Sequence, residues 1–418
     1  EIAYKPPFMH WCVAACGALA GGVNEYVARF PSALAAIVLA FGVYFFYARR
    51  RDGRTALMTA FVSFSSFEMF RAAYACRVDM VLTLCIVGAM LLLERWQEHG
   101  HRFGLPWMAI LLMSAGTLTK GPVAIVLPCM VAWVCAVVRR EGWLRETLLM
   151  ALTAVVAYKQ QGDAFIQLFL EENVYRFLGR MSYRSHENGI WYYFVMLPAG
   201  LLPWTLMLVP AIFRRWDKQV IVARLKAMDR TEVFSLVAAV CVFVFYCIPH
   251  SKRGVYIMPM YPFVAFFIAQ HLCVNYTQRF VRRLSSAVAV LYTLAYAAVL
   301  PFVLNPKSDI DTARIIEQKV GDAPLTSYVA GSEPGNPLHF FTINFYLNDR
   351  VGVWTDKGPA SPYGYLIIGE RDAEKFIPRD GYVFRPVELP EHRSCDTRQV
   401  LRLYEYNVAP ERCSSFRK

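Results

Sequence analysis

The sequence predicts a polytopic α-helical membrane protein with a small, outward-facing α/β domain at its C-terminal end. Of its 418 residues, 56% are hydrophobic and 15% aromatic, and only 18% are charged. The mean hydropathy is +0.33, and these values lie above those of typical soluble domains. Long apolar runs alternate with short loops as far as residue 304, after which helix-like and strand-like segments alternate.

Ten apolar runs are candidates for membrane spans, so we expect about ten transmembrane helices. An eleventh run, 8–22, is short and interrupted by glycine, which favours an interfacial helix at the membrane surface. Several candidates are shorter than the ~20 residues that a helix needs to cross the hydrocarbon. The runs are 23–46, 55–70, 78–93, 105–118, 123–138, 144–157, 191–213, 233–248, 256–274 and 284–304.

The loops fall into two alternating sets. One set is rich in Lys and Arg, which places it in the cytoplasm by the positive-inside rule; it consists of 49–54, 94–102, 139–145, 214–230 and 279–283. The other set faces outward, and consists of Lys5, 71–79, 120–122, 158–190, 250–254 and everything after 304. This alternation requires the run 144–157 to cross the membrane although it is short, so we expect residues to be missing near 150–160 or the helix to be strongly tilted.

The sequence divides into a transmembrane domain, 1–304, and an outward α/β domain, 305–418. The second domain has helix-like segments at 310–320 and 337–347, and strand-like segments at 325–330, 351–354, 363–368, 382–384 and 400–406. Cys395 and Cys413 flank its last strand, and outside the cytoplasm they are candidates for a disulfide.

The charge pattern argues against nucleic-acid binding. The formal net charge is +12, but the basic residues lie in short loops between apolar runs and form no stripe on a soluble fold. The eleven cysteines include no CxxC pair with metal-site spacing. His186 and His250 are not spaced as metal ligands usually are, so no metal ligand is assigned. The sequence does not decide whether the protein requires a divalent metal.

The stretch 71–83 carries two arginines and a carboxylate between two apolar runs. Arg77 and Asp79 therefore lie close to a lipid boundary, where charges are costly and usually have a function or a partner. The simplest alternative is that Arg77 and Asp79 pair with each other in a short polar turn.

The outward loops hold more cations than the positive-inside rule predicts, and we expect them to bind a phosphate at the membrane surface. The alternative is a set of surface salt bridges. The cations are Lys5, Arg71, Arg77, Lys120, Arg176, Arg180, Arg184, Lys252 and Arg253, and they are interleaved with Asp79, Glu171, Glu172, Glu187, His186 and His250.

The local sequence around several of these charged residues supports a phosphate site. Lys120 lies in Thr-Lys-Gly-Pro, where Gly-Pro ends a helix at the point at which a cation faces outward. Glu172 and Arg176 are four residues apart on one helical face, where they form either part of the site or a helix brace. Lys252, Arg253 and Tyr256 lie at the start of the candidate span 256–274.

Several short motifs, in order, resemble those of the GT-C membrane glycosyltransferases, and in particular the lipid A aminoarabinose transferases and the dolichyl-phosphate-mannose protein mannosyltransferases. The resemblance extends from the first residues to about residue 262. The motifs are Tyr4-Lys5-Pro6-Pro7 with Trp11, Ala28-Arg29, Arg77-Val78-Asp79 with Leu82-Thr83, Thr119-Lys120-Gly121-Pro122, Glu172 through Phe177, Leu202-Pro203-Trp204 and Ser251-Lys252 through Pro259.

The resemblance implies a GT-C fold and a set of residue roles. Lys5 matches a lysine near the carrier phosphate, and Arg176 matches a second phosphate contact. Asp79 matches the acidic residue that opens the following span, and Tyr256 an aromatic residue beside the pocket. We add Lys120 to the donor-phosphate site. The expected pocket also contains Arg77, Glu172, His186, Lys252 and Arg253.

The resemblance also implies an activity, namely inverting transfer of a sugar from a polyprenyl phosphate to a lipid A-type, glycan or protein acceptor. This reaction would take place at the periplasmic face of a bacterial inner membrane. The family has an initial span and an outward loop with an acidic pair, and we expect this sequence to start after that loop. If the acceptor is a hydroxyl, Asp79 is then the best remaining candidate for the catalytic carboxylate. Asn173 replaces a histidine found in many relatives. The alternatives are a transporter or flippase of anionic lipid-linked sugars and a non-catalytic relative.

Overall fold

A computed structural model describes residues 6–100, 104–141, 188–189, 191–212, 218–249, 251–304, 308–330, 340–355, 358–377 and 381–408. The chain separates into two compact units. Within Ala3–Leu291 the described residues form helices, and in the unit from Tyr292 onward the described residues include a sheet. The predicted domain boundary after residue 304 stays a prediction. Helices are numbered below in chain order among the described residues.

The helical unit contains most of the described helices. They are α1 (Phe8–Ala20), α2 (Glu25–Ala48), α3 (Gly53–Phe64), α4 (Phe67–Tyr74), α5 (Val78–Glu98), α6 (Trp107–Lys120), α7 (Val123–Val138), α8 (Tyr192–Gly200), α9 (Val209–Ile212), α10 (Lys218–Lys226), α11 (Arg230–Cys247), α12 (Tyr261–Asn275) and α13 (Gln278–Leu294). Two 3-10 helices, Trp204–Leu208 and Gly254–Met260, precede α9 and α12.

The helices confirm a multi-pass membrane protein. Among the described residues, four helical segments are long and apolar enough to span a membrane, namely Glu25–Ala48, Arg230–Cys247, Gly254–Asn275 and Gln278–Phe302. The pair formed by α4 and α5, bent by 119°, would be a fifth. The total of about ten spans stays a prediction, because the remaining apolar helices are shorter and the run 144–157 lies outside the described residues. The interfacial position of α1 likewise stays a prediction.

Two predicted spans are not continuous helices. The run 55–70 breaks between α3 and α4, where the hydroxyls of Ser63, Ser65 and Ser66 donate to backbone carbonyls of the preceding turn and compete with regular helix hydrogen bonds. The run 191–213 breaks after α8, where Pro203 has no N–H to donate. Sequence hydropathy alone does not reveal either break.

Helix α5 is the centre of the helical unit and packs against α2, α6 and α7. Gly116 allows the close approach of α6, since a Cβ there would lie 2.5 Å from the Ala124 Cβ and 2.9 Å from the Cys85 Cβ. The buried side chains of Ala89, Leu93 and Met113 belong to this core.

Charged residues gather at the two ends of α5. Asp79 lies in its first turn and Glu94 in its last turns, fifteen positions apart, which corresponds to about 22 Å along a helix axis. Glu94 accepts hydrogen bonds from Arg139 at 2.9 and 3.0 Å and from Arg230 at 3.0 Å. Three loops of the predicted cytoplasmic set therefore meet at one end of α5, opposite Asp79.

The C-terminal unit begins with the last residues of α13, a π-helical turn Ala295–Val299 and α14 (Leu300–Leu304). Three short helices and five strands follow: α15 (Ile310–Val320), β1 (Leu325–Tyr328), α16 (Phe341–Tyr346), β2 (Val351–Val353), β3 (Tyr363–Gly369), α17 (Glu370–Ala373), β4 (Tyr382–Val387) and β5 (Leu401–Val408). The predicted segments are confirmed as elements of the predicted type, and α17 was not predicted.

The strands form one mixed sheet in the order β2-β1-β3-β5-β4. β1 is parallel to β2 and β3, whereas β5 is antiparallel to β3 and β4. Ile367 faces a core formed with Ile316 of α15, while its neighbours Leu366 and Ile368 face a second core around Trp354. Both faces of β3 are therefore covered, as its almost continuous apolar run indicates.

Candidate active site

The bend between α4 and α5 places a carboxylate at the start of a buried helix. Ala75 and Arg77 have extended backbones, so the chain reverses and α5 begins at Val78. The Ser32 hydroxyl of α2 donates to the Arg77 carbonyl at 3.1 Å and anchors this turn. Asp79 lies in the first turn of α5, where the helix dipole favours a negative charge.

The Asp79 carboxylate binds the ammonium group of Lys120. The Lys120 Nζ donates to Asp79 Oδ1 at 2.6 Å, and the side chains are 28% and 11% exposed, respectively. Lys120 is the last residue of α6, which ends because Gly121 adopts a φ of +104° and Pro122 follows. The pairing of Asp79 with Arg77, the simplest alternative from sequence, is therefore wrong, and the Arg77 side chain is exposed.

An aromatic ring completes the surroundings of Lys120. The Nζ lies 4.6 Å from the centroid of the Tyr256 ring, which is within the range of a cation–π interaction. The Tyr256 ring stacks on Tyr246 of α11, with 5.6 Å between centroids and 29° between the planes. The fold thus brings together the predicted catalytic residue, one predicted phosphate ligand and one predicted pocket residue from three distant stretches.

The segment that carries Tyr256 is fixed by the two basic residues before it. Lys252 is 3% exposed and donates to the carbonyls of Pro249 at 2.5 Å and Asn188 at 3.2 Å. The Tyr193 hydroxyl contacts both the N–H and the carbonyl of Arg253 at 3.2 Å, and the Arg253 side chain is exposed. Lys252 therefore holds the backbone that carries the site.

A second acidic residue, Glu68 of α4, lies beside the same segment. It is 4% exposed and accepts two hydrogen bonds from Arg71, at 2.5 and 3.1 Å. A Cβ added to Gly254 would lie 3.8 Å from Glu68 Oε1. Sequence reasoning missed Glu68 because it lies within the apolar run 55–70. A carboxylate inside an apolar run is the sequence feature that could have identified Glu68, since such a charge usually has a function or a partner.

The remaining predicted site residues, Lys5, Glu172, Arg176 and His186, lie outside the described residues, as does Cys413. Their roles and the disulfide stay predictions. Within the part of the chain that the structure describes, no group of three or more His, Cys, Asp or Glu side chains is arranged to hold a metal ion.

Comparisons with known proteins agree with this architecture. Residues 4–158, which include Asp79 and Lys120, match the family described as dolichyl-phosphate-mannose-protein mannosyltransferase. An uncharacterized protein of Aquifex aeolicus is 29% identical over 71% of this chain and 59% of its own. The undecaprenyl phosphate-alpha-4-amino-4-deoxy-L-arabinose arabinosyl transferase of Erwinia tasmaniensis is 25% identical over 64% of this chain and 49% of its own. The chain thus spans roughly half of the length of these curated relatives.

A solved structure shows the same fold. The crystal structure of ArnT from Cupriavidus metallidurans bound to undecaprenyl phosphate superposes with a TM-score of 0.64 at 20% identity, covering 96% of this chain and 88% of that one. The fold and the helical arrangement define a polytopic membrane protein of the GT-C type with a C-terminal sheet domain. The predicted resemblance to the aminoarabinose transferases and protein mannosyltransferases is confirmed.

Proposed function

We propose that this protein is a glycosyltransferase that moves a sugar from a polyprenyl-phosphate donor to a lipid A-type or other periplasmic acceptor. The observation that carries the proposal is the Asp79–Lys120 ion pair beside Tyr256. This pair lies at the end of α5 opposite Glu94, which pairs with Arg139 and Arg230. The named activities of relatives that share the fold support the same reaction class. We place the reaction at the outer face of a bacterial inner membrane because the opposite end carries the Lys- and Arg-rich loops.

In this proposal Lys120 binds the donor phosphate. A lysine ammonium has three N–H donors, and one of them is directed to Asp79. The side chain is partly exposed, so a phosphate oxygen has access to a remaining donor. During transfer the bond between the anomeric carbon and the phosphate oxygen breaks, and negative charge develops on the departing polyprenyl phosphate. A fixed cation at that position stabilises the developing charge.

The acceptor oxygen forms the new bond to the anomeric carbon on the face opposite the leaving phosphate, which inverts the configuration. If the acceptor is a hydroxyl, its proton passes to a carboxylate, and we assign this role to Asp79. A phosphate acceptor is already an anion and needs little general-base help. The exposed guanidinium groups of Arg77 and Arg253 are suited to an anionic acceptor, while Lys5, Glu172, Arg176 and His186 would complete the pocket.

Mass spectrometry of lipid A and polyprenyl phosphates tests the proposal in cells with and without the complete gene. We expect one sugar-modified acceptor to disappear and its polyprenyl-phosphate-linked donor to accumulate when the gene is removed. A flippase would instead move the donor across the membrane without forming a glycosidic bond, so purified protein would yield no product from donor and acceptor. That second result would contradict the proposal.

A further inference from the structure

A basic cavity lies at the end of the helical unit opposite the candidate active site. This basic cavity has a volume of about 440 Å³ and is lined by Arg49, Arg50, Arg95, Glu98 and His99. This volume falls in the range of ordinary ligand sites, ~300–1,000 Å³. The cavity lies between the residues that follow α2 and the last turn of α5, so it is distinct from the Asp79–Lys120 site.

The basic cavity carries excess positive charge. Arg50 pairs with Glu98, and its guanidinium also donates to the Phe46 carbonyl at 2.9 Å. Within the described part of the chain, the Arg49 and Arg95 side chains have no carboxylate partner. Three arginines against one carboxylate leave two positive charges before His99 is counted. Because two helices end here, the guanidinium groups rather than backbone N–H groups must supply donors to an anion.

The side of α2 that bears Arg49 is apolar. Phe41 and Phe45 are 58% and 54% exposed and stack with ring centroids 6.3 Å apart. Arg49 follows Phe45 by four positions and therefore lies on the same side of α2. This arrangement presents two exposed aromatic rings at the level of acyl chains and a guanidinium at the level of headgroups. Arginines at the ends of membrane helices commonly adopt this arrangement, with the apolar stem among the acyl chains and the charged group at the headgroups.

We propose that the basic cavity binds the phosphate headgroup of an anionic phospholipid whose acyl chains lie along Phe41 and Phe45. Arg49 and Arg95 supply the charge-assisted hydrogen bonds, and Arg50 is held in place by Glu98. Free phosphate offers the same oxygen ligands, but it would make no use of the exposed aromatic face. The bound lipid is a structural ligand of the α2 and α5 ends and takes no part in sugar transfer.

The test measures lipid binding to the full chain in a neutral detergent by native mass spectrometry, with dioleoylphosphatidylglycerol as the probe. The variant Arg49→Gln/Arg95→Gln should weaken binding by at least about tenfold, since it removes two charge-assisted contacts. The matched control is Arg279→Gln/Arg282→Gln, which removes two exposed arginines outside the cavity and should change binding by less than about twofold. Arg49→Lys/Arg95→Lys keeps the charge without the planar fork and should give an intermediate loss.

Two further probes distinguish the sources of the phosphate. Dioleoylphosphatidylcholine should bind the wild type about tenfold more weakly than phosphatidylglycerol and should not distinguish the variants. Millimolar sodium phosphate should not displace phosphatidylglycerol. Equal losses in the cavity and control variants, or equal binding of the two lipids, would overturn the proposal. Displacement by sodium phosphate would overturn the lipid assignment in favour of a free anion.

Discussion

Lys120 and Asp79 are 41 positions apart in the sequence, yet the Lys120 Nζ lies 2.6 Å from Asp79 Oδ1. The pair joins the C-terminal end of α6 to the N-terminal end of α5, so each charge lies at the helix terminus whose dipole favours it. A third element contributes the Tyr256 ring.

The Tyr256 ring should matter more than its hydroxyl. Tyr256→Leu removes the cation–π contact with Lys120 and should raise the activation free energy of transfer by about 0.5–2 kcal/mol. The rate of transfer should therefore fall roughly twofold to thirtyfold. Tyr256→Phe keeps the ring and should stay within about twofold of wild type. The measurement is the initial rate of sugar transfer at fixed donor concentration. A Phe variant as slow as the Leu variant would show that the hydroxyl, not the ring, is required.

Gly200 should be intolerant of any side chain. A Cβ there would overlap the Tyr261 hydroxyl and lie 3.2 Å from the Glu68 Cβ. Gly200→Ala should therefore destabilise the protein by about 1–3 kcal/mol, measured by thermal unfolding in detergent. Adding Tyr261→Phe should recover part of this loss, since the overlapping hydroxyl is gone.

The control for Gly200 is Gly42 of α2, where an added Cβ meets nothing within 4 Å. Gly42→Ala should be neutral or stabilise by up to about 1 kcal/mol, because alanine has the higher helix propensity. An unchanged melting temperature for Gly200→Ala, or a similar loss for Gly42→Ala, would argue against the close packing of α8, α4 and α12.

Topology can be tested by labelling engineered cysteines in a variant without native cysteines. A cysteine at Gly189 should react with a membrane-impermeant maleimide in intact spheroplasts, whereas one at Gly53 should react only after permeabilisation. Added Cβ atoms at both positions meet nothing within 4 Å, so accessibility is not limited by local packing. Labelling of Gly53→Cys in intact spheroplasts would overturn the assigned orientation.

The predicted disulfide between Cys395 and Cys413 can be tested by peptide mapping under non-reducing conditions. We expect a linked peptide in protein isolated from its native compartment. Burial and the neighbouring Asp309 carboxylate raise the pKa of the Cys395 thiol, so the reduced form holds little thiolate at neutral pH. Alkylation of Cys395 by iodoacetamide in the reduced protein should therefore accelerate as the pH rises, because a larger fraction of the thiol is then ionised. Separate, unlinked peptides in the non-reduced map would contradict the pairing.

The order of elements in the C-terminal unit could be predicted because each carries its own local signal. The helix 310–320 and the strand that begins at 363 have apolar periodicities that agree with the observed α15 and β3. The short helix Glu370–Ala373 could not be predicted, since four residues hold too little periodicity.

The partners within the site could not be predicted from the sequence. Charge at a lipid boundary identified Asp79 and Lys120 separately, but Arg77 was the nearer candidate for Asp79 in the chain. The choice of Lys120 depends on how α6 packs against α5, which the sequence pattern does not encode locally. Glu68 was missed because hydropathy averages over a single carboxylate, and its buried position depends on the break between α3 and α4.

The most direct test of the central claim is the rate of sugar transfer against polyprenyl-phosphate donor concentration for Lys120→Ala in the protein from the complete gene. Losing one charge-assisted contact to the donor phosphate should cost about 1.5–3 kcal/mol, or one to two decades in binding or rate. The control, Arg279→Ala, removes an exposed cation elsewhere and should be nearly silent. Near-normal kinetics for Lys120→Ala, with normal expression and melting temperature, would show that the donor phosphate binds elsewhere.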